Sequence, residues 1–350
     1  MYLNKRIALA SLALLLPIGI CQAAPFVDVL DLPAQRSELA ARSPLLDVAE
    51  AGKRLVAVGQ RGHILYSDDG GSSWQQAEVP VSSDLTAVHF PTPDEGWAVG
   101  HDGVVLHSAD AGRSWQKQLD GRQIGQLMTE RYAGVEHWQD EAQRLAKEGA
   151  DKPFLDVWFA NEREGFVVGA FNLILRTIDG GQHWQPWIDR VDNPSAYHLT
   201  ALASDGEHLY LAGEQGLLLR LDAAGERFEV LQSPYQGSFF GLAAEPGVVL
   251  AYGLRGHVFR SGDGGASWTK VETGLPVSIT ASARGADGRL YLFSQAGHVL
   301  RSDDRGTTFH VLDTGALVPV AGALVRADAG LLLVGNRGLS QRTLVAKSQE

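Results

Sequence analysis

Four kinds of residue in this chain have the chemistry for a functional site: single carboxylates, histidines, paired aspartates and arginines. Glu95, Glu162, Glu164 and Glu214 are of the type that serves as general acid in glycoside cleavage, a reaction that needs two carboxylates set across a cleft. Nothing in their spacing separates them from ordinary surface acids, so no catalytic residue is nominated. His63, His257 and His298 look like a ligand set. Zinc needs three or four converging ligands, however, and these three occupy one repeat position in separate units, which keeps at least one away from the others. Asp68-Asp69 and Asp303-Asp304 have the charge for calcium, but capping of a hairpin accounts for them with less assumption, and neither metal nor cofactor is assigned. Arginine is the most patterned of the four. Arg176, Arg220, Arg260, Arg301 and Arg342 share one repeat position, filled by Tyr66 and His107 in two further units, while Arg61, Arg255 and Arg337 share another.

The elements that position these residues repeat. The stretch SDDGGSSW from Ser67 to Trp74 recurs as SADAGRSW to Trp115, TIDGGQHW to Trp184, SGDGGASW to Trp268 and SDDRGTTF to Phe309, with a worn copy at Leu221 to Phe228. Before each copy stands a short apolar strand opened by a turn, whose key positions are Gly62, Gly103, Asn172, Gly216, Gly256, Gly297 and Gly338. Their spacings are 41, 69, 44, 40, 41 and 41 residues. Glycine, with asparagine as its best substitute, suits a site of positive φ. A period near forty with four short strands per unit predicts an all-β, seven-bladed propeller forming one domain over residues 24–350. The last unit lacks the aspartate motif, and Phe26 to Leu32 alternates as an outer strand would; that segment is therefore predicted to supply the outer strand of blade seven and close the ring.

The 69-residue spacing marks one insertion between blades two and three, about 121–152. Ile124, Leu127, Met128, Val135, Trp138, Ala142 and Leu145 recur there at helical spacing, with a break near Gly134. The apolar stripe either packs on the propeller or, through Met128, Tyr132 and Trp138, presents a docking surface for a partner helix; in the second case deleting Gly121 to Gly149 leaves folding intact.

Residues 1–23 read as a secretory signal peptide: Lys5 and Arg6, an apolar run from Ile7 to Ile20, then small residues at Ala23 and Ala24. The run is short for a membrane span, so no direct membrane insertion is expected, and bulky Ile20 argues against lipid attachment at Cys21. Cys21 is the only cysteine, so the exported chain relies on packing rather than disulfides. The formal charge of −11 becomes more negative by two when Lys5 and Arg6 leave, which disfavours nucleic acid as a partner. The predicted location is the periplasm, and the chain alone is predicted to be a monomer.

In each S-x-D-x-G-x-x-W motif the aspartate is expected to accept backbone N–H bonds across the hairpin between third and fourth strands, while the aromatic ring packs between blades. On this account Asp69, Asp110, Asp179, Asp263 and Asp304, with Trp74, Trp115, Trp184 and Trp268, are structural. Strand direction places these motifs on one rim and the turns carrying Arg61, Arg255 and Arg337 on the other, together with the insertion. The strand-end arginines are expected to stack on a tryptophan or pair with a motif aspartate. The turn arginines form a candidate basic face for an acidic or C-terminal peptide segment.

These motifs resemble those of the Asp-box or BNR-repeat propellers, and the G-x-x-G-x-I-L-R-(S/T) strand followed by T-x-D-G-G-x-x-W is most similar to the photosystem II assembly and stability factor group and its bacterial relatives. The resemblance implies a non-enzymatic helper in assembly or operation of a membrane complex, whether a photosystem or another envelope complex such as a transporter. The alternatives are a glycan-active hydrolase of sialidase-like architecture or a glycan-binding propeller. Sialidases carry an F/Y-R-I-P segment that is missing here.

Overall fold

The computed structural model describes residues 26–327 and 330–344. Seven antiparallel sheets stand around an axis, six of four strands and, among the described residues, one of three. Strands are called A to D from the axis outward. Blade 1 is Leu45–Ala51, Arg54–Gly59, Ile64–Ser67 and Gln75–Gln76, and the other blades follow in chain order. Each A strand packs against the A strands of both neighbours, and the first meets the last, Gly322–Val325, so the ring is closed.

The B strands explain why the blades stack. Leu209–Gly213, Val248–Gly253 and Gly330–Gly335 are apolar throughout and buried at every residue, as a strand covered on both faces must be. The core is accordingly divided into wedges between adjacent blades. One of these joins Leu45, Val48, Leu55 and Ala57 of blade 1 to Leu332 and Val334 of blade 7.

The turns between B and C are tighter than the glycine pattern alone indicates. Gln60 O accepts from His63 N at 3.0 Å, and both central residues have positive φ, 57° at Arg61 and 70° at Gly62. This is a type I′ turn, whose twist suits adjoining antiparallel strands. Asp102, Phe171, Gln215 and Arg255 hold the same left-handed conformation in their own blades.

The closure expected from the N-terminus is corrected. Phe26 to Leu32 forms no strand. The carboxylate of Asp28 accepts from Leu30 N at 2.9 Å and bends the chain, which ends the alternation before it pairs with a sheet. Instead the segment is a strap. Val29 O accepts from Ser82 N at 2.8 Å, Leu30 is buried in the wedge between blades 1 and 2, and Ala34 N donates to Val79 O at 3.0 Å. A 3-10 turn, Ala40–Arg42, then packs on strand C of blade 7, Gly338–Thr343. On the opposite rim the seam is fastened by Arg326 donating to Gly70 O and Gln341 to Gly71 O.

The insertion folds as two helices, α1 (Gly121–Arg131) and α2 (Glu136–Glu148), separated at Gly134, where φ is 76°. Asp120 caps α1 by accepting from Arg122 N, while Gln123 returns a bond to Asp120 N at 3.0 Å.

Candidate functional site

On one rim, the Asp-box residues behave as folding devices. Asp69 Oδ1 accepts from Ser73 N and Ser67 Oγ, each at 2.8 Å, and its Oδ2 accepts from Ser73 Oγ at 2.6 Å. Trp74 Nε1 closes the turn onto Gly71 O at 3.0 Å. The hydroxyl and then the amide of Ser73 hold the Asp69 carboxyl down at about 2, and Ser267 does the same for Asp263. Asp110, Asp179 and Asp304 repeat the geometry. Trp115 and Trp184, like Trp74 and Trp268, contribute to the wedges between blades.

Three of the five strand-end arginines latch onto the next blade. Arg176 Nη1 donates to Gly225 O at 3.0 Å, Arg220 Nη1 to Gly264 O at 2.8 Å, and Arg260 Nε to Arg305 O at 2.9 Å, in each case reaching the Asp-box turn of the next blade. Arg176 also lies over Trp187 at 4.7 Å, and Arg301 pairs with Asp303 at 3.0 Å. Where this arginine is replaced by Tyr66, Arg54 takes the task, donating to Asp110 O and Ala111 O at 3.3 and 3.2 Å. Where it is replaced by His107, Gln118 donates to Gly180 O at 2.7 Å.

Along the axis runs a channel of about 330 Å³, lined by A strands. In six blades a bulge interrupts the pairing of A with B at the same place, between Leu45 and Asp47 in blade 1 and between Leu85 and Ala87 in blade 2, for example. Side chains at and beside this bulge tie the ring together. In the even blades Thr86, Thr200 and Thr280 donate to Phe154 O, Phe239 O and Val320 O of the next blade at 2.8, 2.9 and 2.6 Å. In blades 1 and 3, Asp47 accepts from Val88 N at 2.9 Å and Asp156 from Leu202 N at 2.7 Å. Burial pushes the two carboxyls up, to about 6 for Asp47 and about 7 for Asp156, against the pull of the amides that face them. Among the described residues, the one arginine lining the channel is Arg284, paired with buried Glu245 at 2.9 Å. The channel therefore has inter-blade carboxylates and a paired arginine, rather than the converging arginines that a sialidase-like site requires. His63, His257 and His298 stay in their separate blades, and among the described residues no group of three His, Cys, Asp or Glu side chains is placed to hold a metal.

The opposite rim carries Arg61, Arg255 and Arg337, all exposed. Their backbones are pinned where Asp84 accepts from Arg61 N at 2.8 Å and Ser278 from Arg255 N at 3.3 Å. No hydrogen bond or ion pair among the described residues engages their guanidinium groups. Arg61 and Arg337 stand on adjacent blades, and Arg255 lies beyond blade 6. The acids near this rim are mostly occupied: Glu214 pairs with His198 at 2.8 Å, and Asp151 and Glu148 with Lys152 at 2.7 and 2.8 Å. Phe171, which the sequence pattern did not single out, is an exposed aromatic on the same rim.

The insertion corrects a second expectation. Met128 is 0% and Tyr132 1% exposed, packed with Phe154, Phe166 and Trp187, and Tyr132 Oη donates to Asp189 Oδ1 at 2.8 Å. Both face the propeller, so neither is part of a docking surface, because the apolar stripe of α1 is spent on blades 2 to 4. Trp138 is half-buried, beside Tyr132 at 6.0 Å between ring centroids. The outer face of α2 is charged, with Arg144 bridging Glu141 and Glu148.

Comparison with known proteins agrees with this architecture. A solved structure described as YCF48 bound to D1 peptide has a TM-score of 0.63 at 17% identity, covering 91% of this chain and 99% of that one. YCF48 from Cyanidioschyzon merolae gives 0.64 at 15% identity, covering 87% and 96%. In sequence, the chain is 28% identical over 142 residues to the photosystem II assembly lipoprotein Ycf48 of Synechococcus sp. (strain CC9902). That match spans 38% of this chain and about two-fifths, 41%, of the curated relative. The family model of the photosynthesis system II assembly factor YCF48 matches residues 29–128 and 133–310, and the chain belongs to that family.

Proposed function

We propose that the chain is a non-enzymatic scaffold that works outside the cytoplasm and holds an acidic or C-terminal segment of a membrane-complex subunit against the turn rim during assembly or operation of that complex. The observation that carries this reading is the set of three exposed, unengaged arginines, Arg61, Arg255 and Arg337, on one rim of a chain whose formal charge is −11. Excess positive charge on one face of an acidic protein selects an acidic partner and steers its approach. A propeller relative described as bound to D1 peptide supports the same use of the fold. The complex is photosystem II where the host has one and another envelope complex, such as a transporter, where it does not.

Export rests on residues 1–23, a signal peptide cleaved after Ala23 or Ala24 and lying outside the described residues. Asp31 pairs with Arg122 of α1 at 2.8 Å, so the N-terminal strap lies beside the insertion, on the side of the turn rim. Replacing Arg61, Arg255 and Arg337 together by Glu is expected to abolish recovery of the partner in a pull-down from envelope membranes. Unchanged recovery refutes the proposal.

A further inference from the structure

Blade 3 breaks the pattern of the turn rim. At the first central position of the type I′ turn, blades 1, 2, 4 and 5 carry Arg61, Asp102, Gln215 and Arg255, polar residues suited to an exposed site. Blade 3 carries Phe171, with φ of 54° and ψ of 49°, 45% exposed. A bulky residue held in the left-handed region is strained, and an exposed phenylalanine gains little from burial to offset it.

The surroundings hold this arrangement in place. Asn172 stands where the other blades have glycine and is buried, 4% exposed, with φ of 62°. Its amide donates to Ile188 O at 3.3 Å, and its Oδ1 accepts from Asn193 Nδ2 at 3.0 Å. Asn193 in turn grips Tyr197 through both N and O, at 3.1 and 2.8 Å. This network fixes the loop that delivers His198, whose ring lies 4.5 Å from that of Phe171. Lys152, already neutralised by Asp151 and Glu148, places its ammonium 5.4 Å from the same ring.

The geometry points to Phe171 and His198 as an aromatic anchor for a large apolar side chain of the peptide whose carboxylates the rim arginines hold. This rests on the reading under Proposed function and adds a requirement to it: the bound segment combines acidic groups with an aromatic or large aliphatic residue. The arginines lie on the arc of blades 5, 7 and 1, and the anchor lies on blade 3 across the axis. The ligand is therefore an extended segment that crosses the channel mouth, where Leu46, Leu155 and Phe240 offer further apolar surface.

The test selects from a library of short random peptides with free C termini, using the full mature chain as bait and mass spectrometry to read the recovered sequences. Wild type is expected to enrich acidic residues and, with them, large apolar residues by about tenfold, the factor one buried aromatic contact supplies. Phe171→Asn is expected to keep the acidic enrichment and lose the apolar one. The same variant should melt about 2 °C higher, because Asn tolerates the left-handed region, so lost selection is not lost folding. Acidic enrichment with an apolar preference that Phe171→Asn leaves intact overturns the anchor alone. Absence of acidic enrichment in wild type overturns both the anchor and the reading on which it rests.

Discussion

Raising the pH from 6 to 8 is expected to weaken the ring, and Asp156→Asn to abolish that weakening. Asp156 stands half-buried in the channel wall and accepts from Val157 N at 2.8 Å and Leu202 N at 2.7 Å, joining blade 3 to blade 4. Burial lifts its carboxyl from 3.8 to about 7. The folded state thus holds this proton more tightly than the unfolded chain, so the resulting stability is complete below the unfolded value and is lost as the pH rises through about 7. Three pH units at about 1.4 kcal/mol each amount to about 4 kcal/mol in all. About 1.5 kcal/mol of this falls between pH 6 and 8, and Asp47, lifted to about 6 by the same cause, adds a few tenths. His89 acts in the opposite sense. Burial depresses it to about 4, so its contribution is present above its unfolded value of 6.5 and is lost as the pH falls toward 4; about 0.8 kcal/mol of this falls between pH 6 and 8, which leaves a net weakening of about 1 kcal/mol in the wild type. The assay is urea unfolding followed by tryptophan fluorescence at pH 6, 7 and 8. Asp156→Asn opposes an amide to one backbone N–H and costs about 1–2 kcal/mol at every pH, so the slope is the readout, not the level. Equal losses in wild type and variant across the window refute the reasoning.

Two further outcomes follow from the packing. Arg54→Ala removes the bonds to both Asp68 oxygens, at 2.7 and 2.9 Å, and leaves Asp110 O and Ala111 O of the next blade without a donor; a loss of about 2 kcal/mol is expected in urea unfolding, with Asp68 half exposed and free to rehydrate. Arg54→Lys is not expected to restore it, since an ammonium lacks the planar fork. Met128→Ala is expected to cost about 2–4 kcal/mol while partner recovery in the pull-down stays unchanged, the reverse of what a docking residue would show.

Much of the fold was legible because it rests on local chemistry that recurs from blade to blade. The Asp box needs only Ser67, Asp69, Gly71 and Trp74 within one hairpin, so its spacing sets the period, and the seven turns from Gly62 to Gly338 count the blades. The turn arginines were legible for the same reason. What escaped depends on partners far away in sequence. Phe26 to Leu32 alternates like a strand, and only the bond from Leu30 N to Asp28 shows that the chain bends before it can pair. The stripe of Ile124, Met128 and Leu145 announces a buried face but not what it faces, and the wall of blades 2 to 4 decided that. The glycine at the second turn position hid the strain at the first, since Phe171 shares the left-handed conformation of Asn172 beside it. Asp47 and Asp156 stand where Ala87 and Ala201 stand in even blades, a difference visible in sequence whose inter-blade role requires the bulge to be seen.

The central claim is that the turn rim, and not the Asp-box rim, meets the membrane complex. Photo-crosslinking residues placed at Gln60 and Asn336, exposed beside Arg61 and Arg337, and at Ser72 and Thr307, exposed on the Asp-box rim, test it in envelope membranes. Crosslinks to one membrane-complex subunit from Gln60 and Asn336, with none from Ser72 and Thr307, are predicted. Capture of that subunit from the Asp-box positions alone would contradict the account.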